Sequence, residues 1–177
     1  MAKTKWVADA DHSELGFKIR HLMITNISGK FNTFSVDAET EGEDFMTAKT
    51  TVTVDVDTVD TGNEQRDGHL RSPDFFDVNK YRNIKFVATK YENVDNDGSY
   101  VLHGDLTIRD VTKNIKLDVE FGGVVKDPWG NTKAGFTING KINRKDFGLN
   151  WNAVTEAGGI MVSDEVKIYG EIQLLKK

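Results

Sequence analysis

Cysteine is absent from all 177 residues. Disulfides, thiolate metal centres and cysteine nucleophiles are therefore excluded. A long apolar run is absent too, so nothing in the chain has the length of a membrane-spanning helix. The N-terminal stretch MAKTKWVADADH reaches acidic residues without an apolar segment of signal-peptide length. The expectation is a cytoplasmic protein as the sequence is written, or a periplasmic one where a leader has been removed. Nor is there a basic surplus: the net charge is −5. Nucleic acid is thereby disfavoured as a partner, because neutralising phosphates needs a basic face, and so is an electrostatic anchor on anionic lipid. Nucleophile-elbow, P-loop and dinucleotide fingerprints are missing. The histidines His12, His21, His69 and His103 form no HxH or HxxxH pattern. Zinc or haem would need distant residues to converge, and the expectation is no metal and no cofactor beyond a bound ligand.

What is present is a soluble, globular composition, 38% hydrophobic and 29% charged, of a length that suits one domain over residues 1–177. Its dominant signal is alternation with a period of two, the mark of half-buried strands. Leu15, Phe17, Ile19 and His21 share one phase of the first run. In the second, Phe31 is followed by Phe34, Val36 and Ala38, a slip of one residue around Asn32 and Thr33 that a β-bulge would produce. Val52, Val54 and Val56 mark the third run, Ile84, Phe86 and Ala88 the fourth, and Leu102, Gly104, Leu106 and Ile108 the fifth. A short connection then leads to Ile115, Leu117, Val119 and Phe121, as in a hairpin. Asp127-Pro128-Trp129-Gly130 fits a type I turn. Phe136, Ile138, Gly140 and Ile142 form the seventh run. A loop containing Gly158-Gly159 precedes the last, with Val166, Ile168, Gly170, Ile172 and Leu174.

Eight alternating strands with mostly short turns predict an all-β protein whose antiparallel sheet has one apolar face. Closing that sheet into an up-and-down barrel covers the face and removes the edges; a sandwich is the alternative. A barrel of eight strands is either filled by side chains or holds one small ligand. The inward phase is almost wholly apolar, and Gly104, Gly140 and Gly170 fall on it in three strands. Either they remove side-chain volume and open an elongated cavity, or they let the strands coil sharply.

One stretch breaks the pattern: Thr61 to Asp77, TGNEQRDGHLRSPDFFD. Thr61 with Glu64 three residues on reads as a capping box, and Ser72-Pro73 as a second helix start. Two short helices are predicted, about 62–70 and 73–78, as an insert between the third and fourth strands. Arg66 and His69 would then share a face, and Asp67 and Arg71 would pair. These charges either pin a loop to the sheet by ion pairs or meet a ligand. A catalytic use of Arg66, Asp67 and His69 near Arg144 and Asp146 is a third reading. Trp6, Trp129 and Trp151 read as packing or rim residues, with Trp151 the preferred rim contact. Phe75 and Phe76 read as anchors of the insert.

The spacings Trp6-x-x-Asp9-x-x-His12-Ser13, Phe17-x-x-x-His21-Leu22, Gly29-x-Phe31, Thr61-x-Asn63-x-x-Arg66-Asp67-x-His69-Leu70, Asp74-Phe75-Phe76-Asp77, Gly104-x-Leu106-Thr107-Ile108 and Asn143-Arg144-x-Asp146-Phe147-Gly148-Leu149-x-Trp151 resemble the YceI-like family, bacterial polyisoprenoid-binding proteins with a lipocalin-like barrel. The resemblance spans nearly the whole chain. It departs at Asp110, where Gly is usual, and at Asn114, where Pro is frequent; Asp tolerates positive φ, so the turn survives. The resemblance implies a polyisoprenoid or similar long-chain amphiphile, such as an isoprenoid quinone, a prenyl pyrophosphate or a fatty-acid derivative, held in the pore for carriage or storage without catalysis. The residues expected to line it are Leu15, Phe17, Ile19, Phe31, Phe34, Val36, Val52, Val54, Ile84, Phe86, Leu102, Gly104, Leu106, Leu117, Val119, Phe136, Ile138, Gly140, Ile168 and Gly170. His21, Arg66, His69, Arg144 and Trp151 are expected at the rim, facing the head group. A ligand-free structural or stress-related barrel is the remaining alternative, and an apolar mouth leaves a homodimer contact open.

Overall fold

The computed structural model describes residues 2–22, 24–93, 98–152 and 162–177. Its architecture is a closed antiparallel barrel of eight staves, the first three of which are each broken into two segments. The first stave is β1 (Lys3–Ala8) and β2 (Glu14–His21), the second β3 (Thr25–Phe31) and β4 (Phe34–Glu41), and the third β5 (Asp44–Asp55) and β6 (Val59–Asp60). The insert with helix α1 (Glu64–Arg71) follows. The remaining staves are β7 (Asn83–Asn93), β8 (Ser99–Ile108), β9 (Val111–Lys126), β10 (Thr132–Asn143) and β11 (Val162–Lys176). Each stave pairs with its sequence neighbours, and β11 returns to pair with both β1 and β2, which closes the ring.

Alternation places the core. β8 is the purest case: Tyr100, Leu102, Gly104, Leu106 and Ile108 are buried while the residues between them are half-exposed. The slip at Asn32 and Thr33 is a break in the stave, beside a single turn of 3-10 helix, Val56–Thr58, in the third. The two irregularities satisfy each other. Asn32 N donates to Thr58 O (3.2 Å), Thr33 N to Thr58 Oγ1 (3.0 Å) and Asp55 N to Thr33 O (3.0 Å). Backbone groups released from the ladder thus find partners at once. In the first stave the break is the 3-10 turn Ala10–His12, capped by Asp9. Asp9 also binds Lys133 Nζ and His12 Nδ1, both at 2.8 Å. Lys133 and, to a smaller extent, His12 hold its carboxyl below the usual range against the opposing effect of burial.

The two ends of the barrel differ. One is plugged by aromatic packing: Phe45 lies 4.8 Å from Trp6, 5.5 Å from Phe121 and 5.0 Å from Phe136 between ring centroids. Trp6 is only 1% exposed, and its indole N–H donates to Thr40 Oγ1 (2.9 Å), so its one polar atom is satisfied. At the other end β6 pairs with β3 but not with β7, and residues 61–82 span the gap.

The insert corrects several expectations. It contains one helix among its residues; 73–78 form hydrogen-bonded turns, with Phe75 N and Asp77 N both donating to Ser72 O. The N-cap of α1 is Asn63, whose side chain accepts from Arg66 N (3.0 Å). Thr61 instead donates its hydroxyl (2.5 Å) and backbone N–H (2.9 Å) to Asp67 Oδ1. Asp67 is thereby buried and occupied, and Arg71 pairs with Glu64 (3.2 Å) rather than with Asp67.

Three further corrections concern turns and strands. In the β8–β9 hairpin the positive φ falls on Arg109 (φ 55), the first of the two turn residues, not on Asp110. Trp129 is 83% exposed at a turn tip, neither core nor rim of the mouth. The strand β1 has no counterpart among the expected strands. The expected loop glycines Gly158 and Gly159 lie outside the described residues.

Candidate functional site

Inward side chains from every stave leave a continuous cavity of about 660 Å³ along the barrel. That volume falls within the range of roughly 300–1,000 Å³ typical of small-molecule sites. Every aliphatic and aromatic residue expected from the alternation lines it: Leu15, Phe17, Ile19, Phe31, Phe34, Val36, Val52, Val54, Ile84, Phe86, Leu102, Leu106, Leu117, Val119, Phe136, Ile138 and Ile168.

The three glycines do not line it. At Gly104 and Gly140 the missing side chain makes room for a neighbour, since a Cβ would collide with the edge of the Phe86 ring and with a Leu117 methyl; at Gly170 it would meet Glu14 O at 3.3 Å and Leu15 Cδ1 at 3.4 Å, close to ordinary contact. At the first two, volume removed in one strand is filled from the next. The expectation that Gly104, Gly140 and Gly170 open the cavity is therefore corrected.

The mouth lies beneath α1. His21, Arg66, His69, Arg144 and Trp151 all reach it, with Thr61, Asn63 and Gln65 beside them. Their hydrogen bonds separate their roles. Arg144 is 2% exposed and is committed to backbone: Nε donates to Ser163 O (2.8 Å), Nη1 to Leu149 O and Trp151 O (both 2.7 Å), and Nη2 to Val162 O (3.4 Å). Burial pushes its guanidinium pKa down, and Asp164 partly opposes that. It acts as a strut that holds the segment after β10 against the start of β11.

Arg66 differs. Its Nε donates to Thr61 Oγ1 and its Nη2 to Thr61 O, both at 2.7 Å, and it forms no ion pair among the described residues. An oriented cation with no ion-pair partner among the described residues thus stands at the rim of an apolar tube, one hydroxyl removed from the Asp67 carboxylate. His69 packs edge-on against Trp151 (4.6 Å) and Phe75 (5.1 Å) and contacts Asp74 Oδ2 through Nε2 (2.9 Å). Asp67 and His69 therefore have separate partners, Thr61 and Asp74, and form no acid–base relay with each other. Phe75 and Phe76 hold the insert and line the cavity at once.

Toward the plugged end the wall carries a second polar group of residues that the sequence reading missed: Thr50, Tyr91 and Tyr100. Thr50 Oγ1 and Tyr91 Oη share a hydrogen bond of 2.9 Å. Burial raises the pKa of both phenols, and for Tyr100 the neighbouring Tyr91 adds to it. Thr50 and Tyr100 continue the inward phases of Val52 and Leu102, so both were readable. Tyr91 was not, because the register of β7 shifts between Ala88 and Lys90. Among the described residues no cluster of His, Asp and Glu is placed to hold a metal ion, and no helix is long and apolar enough to cross a membrane.

Known proteins resemble this chain in sequence and fold. A UPF0312 protein of Staphylococcus aureus is 40% identical over 165 residues, 93% of each chain. The crystal structure of a Campylobacter jejuni YCEI protein superposes with a TM-score of 0.76 at 37% identity, covering 96% of both chains. A polyisoprenoid binding domain from Saccharophagus degradans, implicated in plant cell wall breakdown, has the same fold with a TM-score of 0.66 at 15% identity, covering 97% of this chain and 98% of that one. The family model of the YceI-like domain matches residues 6–174, from the buried Trp6 of the plug to Leu174 of the closing strand, and the chain belongs to the YceI-like family.

Proposed function

We propose that the protein binds a single long-chain amphiphile, of polyisoprenoid or similar kind, with its chain in the barrel and its head group under α1, for carriage or storage without catalysis. The observation that carries this reading is the cavity of about 660 Å³ with aliphatic and aromatic walls and, at its mouth, Arg66, which forms no ion pair among the described residues. Such walls gain roughly 25 cal/mol per Å² of apolar surface taken from water, before the cost of ordering the guest. A chain satisfies them and a compact polar metabolite does not. Arg66 then favours a head group that accepts hydrogen bonds or carries negative charge. The polyisoprenoid binding named for the S. degradans domain supports the same class of guest.

The test is mass spectrometry of an organic extract from protein purified without detergent, with Val52→Trp as the comparison. Val52 faces the cavity between Val36 and Phe86, so an indole there occupies the space of the chain. The expected result is a stoichiometric long-chain lipid in the parent that is lost from a folded variant. Equal lipid in both would contradict the placement of the guest, and no bound long-chain lipid in the parent under any loading condition would contradict the reading.

A further inference from the structure

The cavity is not uniformly apolar. Opposite the mouth, Thr50 on β5, Tyr91 on β7 and Tyr100 on β8 bring three hydroxyls to its wall. Along β8 Tyr100 is eight residues from Ile108, near the mouth, about 26 Å of extended strand or roughly 20 Å along the barrel axis at the usual strand tilt, within reach of an 18-carbon chain. Two of the hydroxyls bond each other, Thr50 Oγ1 to Tyr91 Oη at 2.9 Å. The third is left over. Tyr100 is 7% exposed, its ring packs on Tyr91 at 5.7 Å between centroids, and its hydroxyl has no hydrogen-bond partner among the described residues.

The hydroxyl oxygen is not closed off with the ring: it keeps accessible surface, which in a residue that lines the cavity opens onto the cavity. Packing alone would be served by Phe. The surroundings also define what the hydroxyl can meet. The flanking aromatic plug of Trp6, Phe45, Phe121 and Phe136 brings no charge to this end, so an anion would lose its hydration with no counter-charge to offset the loss. With phenols that stay protonated, the wall offers O–H donors to a neutral acceptor.

We infer that Thr50, Tyr91 and Tyr100 form a second polar subsite, which holds an uncharged hydrogen-bond acceptor oxygen of carbonyl type carried by the guest far from the end that meets Arg66. This deepens the long-chain reading and rests on it. The barrel then measures the guest as well as enclosing it: one polar group at the mouth, an apolar run of fixed length, and a neutral oxygen at the inner station.

A chemical ruler tests this. Octadecanoic acid and a series of octadecanoic acids bearing one ketone at successive positions are titrated into delipidated full-length protein and into Tyr100→Phe, which keeps the ring packing and loses the hydroxyl. The subsite predicts tighter binding of the acids whose ketone lies in the distal part of the chain, by roughly 3- to 10-fold over octadecanoic acid, the range expected of one neutral hydrogen bond. In Tyr100→Phe the preference for a distal ketone over octadecanoic acid disappears. In the infrared, the carbonyl stretch of the favoured acid lies lower in the parent than in the variant.

A series with no maximum, as expected if the hydroxyls hold only water, overturns the subsite and leaves the long-chain reading standing. A distal maximum that survives Tyr100→Phe also overturns it. A parent that binds none of the acids, octadecanoic acid included, overturns the long-chain reading and the subsite with it.

Discussion

The two arginines at the mouth show how far side chains of one type diverge once their partners are fixed. Arg144 donates to the carbonyls of Leu149, Trp151, Val162 and Ser163, so Arg144→Met leaves buried acceptors without donors, at about 1–3 kcal/mol for such a group. The expected outcome is a clear loss of stability in urea or thermal melts, with any remaining binding still selective for charged head groups. Arg66 lies at the rim, and its side chain bonds only Thr61 among the described residues. Arg66→Gln is expected to keep the fold and to weaken binding of a long-chain carboxylate roughly 10-fold, the order of one charged hydrogen bond, while binding of the long-chain alcohol of equal length is little changed. Displacement titrations with the two probes separate the cases. Equal losses for acid and alcohol would show that Arg66 acts through the fold and not on the head group. Residue type and spacing nominated both arginines, but only hydrogen-bond partners divide them, and those come from segments distant in the chain.

At the scale of elements, a period of two is legible because a one-residue error would turn a whole strand inside out. That is why the barrel, the slip in phase at Asn32 and Thr33, and the aliphatic cavity wall could be read directly, although the slip proves to be a break between two strand segments and not the expected β-bulge. β1 escaped because it is six residues long with Trp6 alone fully buried. The caps of the insert escaped for a different reason: Thr61 and Asn63 both carry capping chemistry, and Asp67 takes up the Thr61 hydroxyl from a full turn inside the helix. The glycines were misread because sequence shows the side chain that is missing and not the neighbour that fills its place. Gly104→Ala makes this testable. Its Cβ would collide with the ring of Phe86 and approach Val87 O to 2.8 Å. The ring must swing into the cavity, and the expected cost is about 1–3 kcal/mol of overpacking strain together with weaker binding of long chains. Calorimetry and lipid titration report the two effects. A variant of unchanged stability and capacity would return the glycine to the role of an open wall position.

At the scale of the whole molecule, an antiparallel barrel of this size either fills its interior with side chains or encloses one small ligand. Here one end is filled, by the aromatic plug around Phe45, and the rest of the interior is cavity. The lining of an empty apolar space lacks partner atoms on one side and forfeits their dispersion contacts. A guest that supplies those contacts binds the folded chain and not the unfolded one, so it stabilises the fold by mass action: about 2.7 kcal/mol at a free concentration one hundred times Kd. For a domain of this length that corresponds to a shift on the order of 5–10 °C in melting temperature. Protein stripped of lipid on a hydrophobic resin is accordingly expected to melt lower than loaded protein and to recover when a long-chain probe is restored. In Val52→Trp the indole replaces part of the guest, so melting should respond little to stripping or reloading. Identical melting of stripped and loaded parent protein would mean that the interior gains nothing from a guest, which would favour a ligand-free structural barrel over a carrier.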